Sequence, residues 1–147
     1  QASIREMVDL ANNPEYLNSR ITDLMVLLKE LKARFCHNHP QVKMTINGDD
    51  GQQIMTDALL ELALLNVFNN SAAAEAKTIT LNVAIKQNKI QLQVQDDGLG
   101  EHFKQTSGLG IGLKLSRRIL RSAGGSLCLH RHPKGAETTI TLARVSP

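Results

Sequence analysis

The chain has 147 residues, 41% of them hydrophobic, and a formal net charge of +3. That suffices for one cored domain plus a further element, while no stretch approaches the roughly 18–20 apolar residues of a membrane helix. Lys and Arg are scattered and aromatics are only 3%, which argues against a nucleic-acid surface built from a basic stripe with stacking rings. Two cysteines, Cys36 and Cys128, are too few for a disulfide framework and suit a reduced, cytoplasmic setting. No charged-then-apolar leader opens the chain, and Gln1 at its start leads us to expect a piece of a longer protein.

Ser3 to Glu6 has capping-box spacing and opens a short helix, interrupted at Asn12-Asn13-Pro14. Pro14 suits the first turn of a second helix, in which Leu17, Ile21, Leu24, Leu28, Leu31 and Phe35 recur at steps of four and three. Such a seam marks a helix packed along another helix; a helix packed on its own domain has the same pattern. A break follows at 37–40, then an alternating strand at 41–47 and a turn at 47–51. A long helix is expected from about residue 52 to 74. Residues 77–86 and 89–95 alternate again around a Gln87-Asn88 hairpin turn. A glycine-rich stretch, 96–112, leads into a helix ending near Gly124-Gly125. Strands at 126–131 and 136–142 close the chain around a turn at 133–135. Paired strands with interspersed helices predict a two-layer α/β sandwich, a mixed sheet of about five strands with helices on one face. No strand–GxxxxGK[ST]–helix unit occurs, so a P-loop is excluded.

Three segments carry chemistry. In the long helix, Asn66 and Asn70 lie four apart and share a face. Asparagine is a poor helix former, and a buried amide wants a partner. Amide oxygens are hard, neutral ligands for Mg²⁺ that already carries phosphate oxygens, or they bond a neighbouring loop. Next, Asp96-Asp97-Gly98-Leu99-Gly100 follows an alternating strand. A carboxylate there can accept from an exocyclic amine such as adenine's, while the glycines let the backbone come close; an acidic turn is the plainer reading. Last, Gly108-Leu109-Gly110-Ile111-Gly112-Leu113 opens a helix, leaving bare N–H groups and a positive dipole end for a phosphate chain.

In order and spacing these segments resemble the N, G1 and G2 boxes of the GHKL (Bergerat) ATPase superfamily, which holds histidine kinases, gyrase B, Hsp90 and MutL. The resemblance covers about residues 41–142, and the close of the chain looks like the last strands of a sensor histidine kinase catalytic domain. The stretch from Ala63 to Ala73 is similar to sensor kinases of the RegB/PrrB type. The resemblance implies that Asp96 binds the adenine amino group, with Gly98 and Gly100 shaping the pocket. It implies that Asn70 coordinates Mg²⁺ with Asn66 beside it, and that Gly108, Leu109, Gly110, Ile111, Gly112 and Leu113 hold the phosphates of ATP.

Hydrolysing members of that superfamily place a glutamate one turn before the Mg²⁺ asparagine, to activate water. Here that position is Asn66, and Glu61 lies nine residues before Asn70 on another face. An amide is no base, so no catalytic residue is assigned, Asn66 being the nearest candidate by position. The pattern favours transfer of the γ-phosphoryl to a histidine outside this chain, then to the receiver domain of a response regulator. Residues 1–36 then read as the end of a helical dimerisation hairpin and 37–147 as the catalytic domain, homodimeric in the full protein and on the cytoplasmic side of an inner membrane. No His-[Asp/Glu]-x-x-x-Pro box occurs around any of the five histidines, so this chain is not expected to phosphorylate itself. Two alternatives stay open: a serine kinase of the anti-sigma-factor kind, against which the seam speaks, and a nucleotide-binding or dimerising module without catalysis. Two departures feed the last. The segment between Gly100 and Gly108 is short, with Phe103 and Lys104 its only candidates to touch nucleotide. Ala73 and Ala74 stand where basic and aromatic residues are usual, with Lys77 or Lys104 as substitutes. Cys128, His130 and His132 share a strand face without the spacing of structural zinc motifs.

Overall fold

The computed structural model describes residues 2–13, 18–104 and 109–145. In chain order the elements are α1 (Ala2–Asn12), β1 (Arg20–Asp23), α2 (Leu24–Asn38), β2 (Lys43–Gly48), β3 (Gln53–Thr56), α3 (Ala58–Ala73), β4 (Thr78–Lys86), β5 (Lys89–Asp96), a 3-10 turn (Gly100–His102), α4 (Leu109–Ser122), β6 (Ser126–His132) and β7 (Gly135–Leu142).

Five strands form one sheet in the order β2-β4-β5-β7-β6, with β2 parallel to β4 and the other pairs antiparallel. Period-two alternation sorts its faces. Ile79, Leu81, Val83, Ile90, Leu92, Val94, Ile140 and Leu142 are buried in one core with the apolar sides of α2, α3 and α4. Asn82, Gln91, Gln93 and Thr139 alternate with them on the opposite, partly exposed face. The expected two-layer sandwich is therefore what forms. Gln87 and Asn88 both have positive φ, 52° and 64°, between the paired Lys86 and Lys89. That is the two-residue turn whose twist matches an antiparallel hairpin.

Two expected helices begin later than their sequence pattern suggests. Of the helix expected from Pro14, residues 14–17 lie outside the described residues; the described helix starts at Leu24, where the Asp23 carboxylate caps it, accepting the N–H of Met25 at 2.8 Å and of Val26 at 3.3 Å. Arg20–Asp23 instead pairs antiparallel with β3, setting Ile21 opposite Met55. Ile21 is 53% exposed and has no place in a seam; Leu17 lies outside the described residues. Leu24, Leu28, Leu31 and Phe35 are buried, and the Phe35 ring meets Phe68 of α3 edge-on at 5.9 Å. The apolar stripe of α2 is thus used inside its own domain.

The helix expected from residue 52 starts at Ala58, where Asp57 accepts the Leu60 N–H at 2.8 Å. Residues before that cap form β3, burying Ile54 and Thr56 while Gln53 and Met55 face out. Helix α3 is apolar nearly all round and buried accordingly; α1 lies against it, with Met7 fully buried. Among the described residues no helix is long and apolar enough to cross a membrane.

Candidate functional site

The second half of α3 supplies three polar side chains to an apolar interior. Asn66, Asn70 and Ser71 are 5%, 8% and 5% exposed. Asn66 gives its amide N–H to Ser116 Oγ of α4 at 3.2 Å, and the Ser116 hydroxyl donates to the Ala63 carbonyl at 3.2 Å. With that hydroxyl proton committed, Ser116 offers Asn66 only a lone pair, which fixes which end of the amide faces it. Asn70 differs: its Oδ1 is buried and accepts no hydrogen bond among the described residues. An orphaned carbonyl oxygen costs about 1–3 kcal/mol, a penalty that a bound cation removes.

Asp96 ends β5 beside this helix. Its Oδ2 accepts the Ser71 hydroxyl at 2.6 Å and its Oδ1 accepts the Gly98 N–H at 2.9 Å. No ion pair engages it among the described residues, and each oxygen keeps lone-pair capacity for an amine. The loop beyond is tied back onto α3 and β4. Leu99 N–H donates to Ala74 O at 2.7 Å, and a Cβ on Gly98 would sit 2.5 Å from that same oxygen. Asp97 accepts the N–H groups of Lys77 and Thr78 at 2.8 and 2.9 Å. Burial tends to raise the Asp97 pKa, but these backbone bonds outweigh it and hold the carboxyl below its ordinary value. Gly100 has φ +55°, and a Cβ there would meet the His132 carbonyl at 2.0 Å, so only glycine brings this loop against β6.

The start of α4 packs against the same helix, α3. A Cβ on Gly112 would lie 2.8 Å from Asn66 Nδ2, so the bare glycine lets the helix rest on that amide. Leu109, Gly110 and Ile111 stand in the first turn of α4, and Leu113 is buried at 6% exposure. Gly108 lies outside the described residues. One run of contacts thus links Gly112 to Asn66, Asn66 through one helical turn to Asn70, and the adjacent Ser71 to Asp96. The amide helix, the acidic strand end and the glycine-opened helix share one place in the fold.

Glu61 pairs with Arg20 at 2.9 Å and with Arg34 at 4.0 Å, a structural role at the start of α3. Phe103 holds the Arg131 guanidinium 5.1 Å from its ring centroid. Lys77 and Lys104 are exposed, and the His130 and His132 rings meet edge-to-face 4.6 Å apart. Sequence reasoning missed Ser71 and Ser116. The signal was available: serines among apolar helix residues pose the same question of partners as the asparagines do.

The histidine kinase-, DNA gyrase B- and HSP90-like ATPase family matches residues 55–146. Among curated proteins no relative matches the chain in sequence. Solved structures with this fold include a mycobacterial sensor histidine kinase, MprB, at 18% identity and TM-score 0.71, covering 87% of this chain and 99% of that one. The ATP-binding domain of PrrB from Mycobacterium tuberculosis is 19% identical with TM-score 0.71, over 88% of this chain and 99% of its own. Full-length ShkA, in complex with AMPPNP, is 21% identical with TM-score 0.74, over 89% of this chain and 32% of its own.

Proposed function

Because the chain belongs to the histidine kinase-, DNA gyrase B- and HSP90-like ATPase family, we propose that it is the ATP-binding catalytic domain of a two-component sensor histidine kinase, passing the γ-phosphoryl group to a histidine outside these residues. The observation that carries the choice within the family is Asn66. At the position where a water-activating carboxylate would stand, this chain has a buried amide bonded to Ser116. An amide takes no proton from water, so transfer to a better nucleophile is favoured over hydrolysis.

On this reading each segment has one task. Asp96 accepts the adenine amino group, and Gly98 and Gly100 let the loop backbone lie close to the base. The N-terminus of α4, with Gly110 and Gly112 in its first turn, would turn its N–H groups and positive dipole end toward the phosphates, and Gly108, just before it in sequence, is assigned the same task. The unpartnered Oδ1 of Asn70 fits a hard divalent cation, so Asn70 would hold Mg²⁺. Mg²⁺ bound there would neutralise phosphate oxygens. The remaining contribution of the chain is to orient the nucleotide for an incoming imidazole, which is catalysis by positioning and charge rather than by an acid–base residue. The partners are the phosphoacceptor helix of the same or a second chain, and then a response regulator receiver domain. With both α1 and α2 packed into the domain core, the dimerisation helices would come from outside these elements, and the domain would lie on the cytoplasmic side of a membrane sensor.

The test is phosphotransfer with γ-labelled Mg·ATP. The chain alone should acquire no stable phosphohistidine and release little phosphate. Supplied with a phosphoacceptor hairpin carrying a His-[Asp/Glu]-x-x-x-Pro box, it should label that histidine, and Asp96→Asn should abolish the labelling. Label appearing on this chain's own histidines, or rapid hydrolysis without an acceptor, would overturn the reading. Ala73 and Ala74 in place of a basic and an aromatic residue favour a second reading, nucleotide binding without catalysis. A thermal shift with Mg·ATP but no transfer to any acceptor would select it.

A further inference from the structure

Ser71 stands in the last turn of α3, where a serine ordinarily returns its hydroxyl to a carbonyl one turn back in its own helix. Instead its hydroxyl donates to Asp96 Oδ2 at 2.6 Å, across from the helix to the end of β5. The Gly98 N–H holds the other carboxylate oxygen at 2.9 Å. The carboxylate is therefore clamped at both ends, and it cannot turn about its last torsion without breaking a charge-assisted bond. Ser71 is 5% exposed, so water does not readily replace its hydroxyl.

The clamp also sets what the site can recognise. Once its one proton is committed to Asp96, the Ser71 oxygen has only lone pairs left. A hydroxyl oxygen and a carboxylate then stand together as acceptors and call for a group rich in N–H. The amino group at position 6 of adenine supplies two hydrogens there; a carbonyl at position 6, as in guanine or hypoxanthine, supplies none and faces two acceptors. Resting on the assignment of Asp96 to the adenine amino group, we propose that Ser71 is a positioning residue for base recognition: it orients the Asp96 carboxylate, and with it the preference for a 6-amino purine.

The test compares two nucleotides with Mg²⁺ by calorimetric titration of the whole chain. One is ATP; the other is purine riboside triphosphate, identical but lacking the 6-amino group. The wild-type chain binds ATP more tightly. Ser71→Ala fills nearly the same volume and favours the helix, so the fold is retained, which a melting curve verifies. It should weaken ATP by about tenfold while leaving purine riboside triphosphate unchanged. Equal weakening of both ligands, or of neither, would overturn the proposal, since a merely structural serine cannot distinguish them. Asp96→Asn separates the two layers of inference. It should abolish the advantage of ATP. If that advantage survives Asp96→Asn, the assignment of Asp96 fails and the role of Ser71 fails with it; if only the Ser71→Ala result departs, the role of Ser71 alone fails.

Discussion

Gly112→Ala sets two helix effects of opposite sign against each other. In an ordinary helix interior the change would stabilise by about 1 kcal/mol, the difference in propensity between the two residues. Here the added methyl would lie 2.8 Å from Asn66 Nδ2, 3.0 Å from Oδ1 and 3.2 Å from Cγ. Non-bonded heavy atoms settle at about 3.5–4.0 Å, so the amide must give by several tenths of an ångström or α4 must lift. Asn66 is 5% exposed and bonded to Ser116 at 3.2 Å, so either response strains or breaks a buried hydrogen bond. Leaving the amide unpaired costs about 1–3 kcal/mol, and overpacking adds about 1–3 kcal/mol. After the propensity gain, a net loss of about 1–5 kcal/mol remains. Urea denaturation followed by circular dichroism would read it. The decisive comparison is the same change in an Asn66→Ala background, where the methyl has room. There Gly112→Ala should be neutral or stabilising by up to about 1 kcal/mol, giving a coupling of about 1–6 kcal/mol in the double-mutant cycle. Equal effects in both backgrounds would refute the idea that Asn66 and Gly112 are packed as a unit.

Asp97→Ala removes the acceptor of the Lys77 and Thr78 N–H groups. The folded pKa of Asp97 lies below its ordinary value of 3.8, so its stabilisation is fully present above that pH and is lost as pH falls through the folded value. The variant should melt below the wild type at pH 7, with the gap closing in acid; a gap constant with pH would contradict the bonding described. Leu28→Ala, at a fully buried site, should cost about 2–5 kcal/mol in one cooperative transition shared by sheet and helices. A midpoint unchanged by it would mean that α2 is not part of the domain core.

The sheet was legible because alternation in residues 77–95 and 136–142 is long and one face is consistently apolar. The Gln87-Asn88 turn was legible for the same reason, since register leaves two residues to reverse the chain. Helix starts were not, because a stripe at steps of four and three ignores the cap. Asp23 and Asp57 stop their helices by hydrogen bonds to N–H groups two and three residues on. The strand residues before them, Ile21 and Ile54, happen to extend the apolar pattern backwards. The seam of α2 was real, but periodicity says only that one face is buried, not which body buries it. In the candidate site, Asn70 and Asp96 were singled out by residue type and spacing together with the family resemblance, and the structure sets them near each other through Ser71. Ser71 and Ser116 act across 25 and 50 residues of sequence, on Asp96 and Asn66, and a hydroxyl partner at that range is visible only once the helices and sheet are packed.

On the proposed function, Mg²⁺-bound adenine nucleotide sits where α3, the end of β5 and the start of α4 meet. A crystal structure of the chain with Mg²⁺ and a non-hydrolysable ATP analogue tests this directly. The expected result is the 6-amino group within hydrogen-bonding distance, about 3 Å, of the Asp96 carboxylate, with Asn70 Oδ1 on the cation. Nucleotide bound on another surface, or Asn70 Oδ1 satisfied by protein alone in the complex, would contradict it.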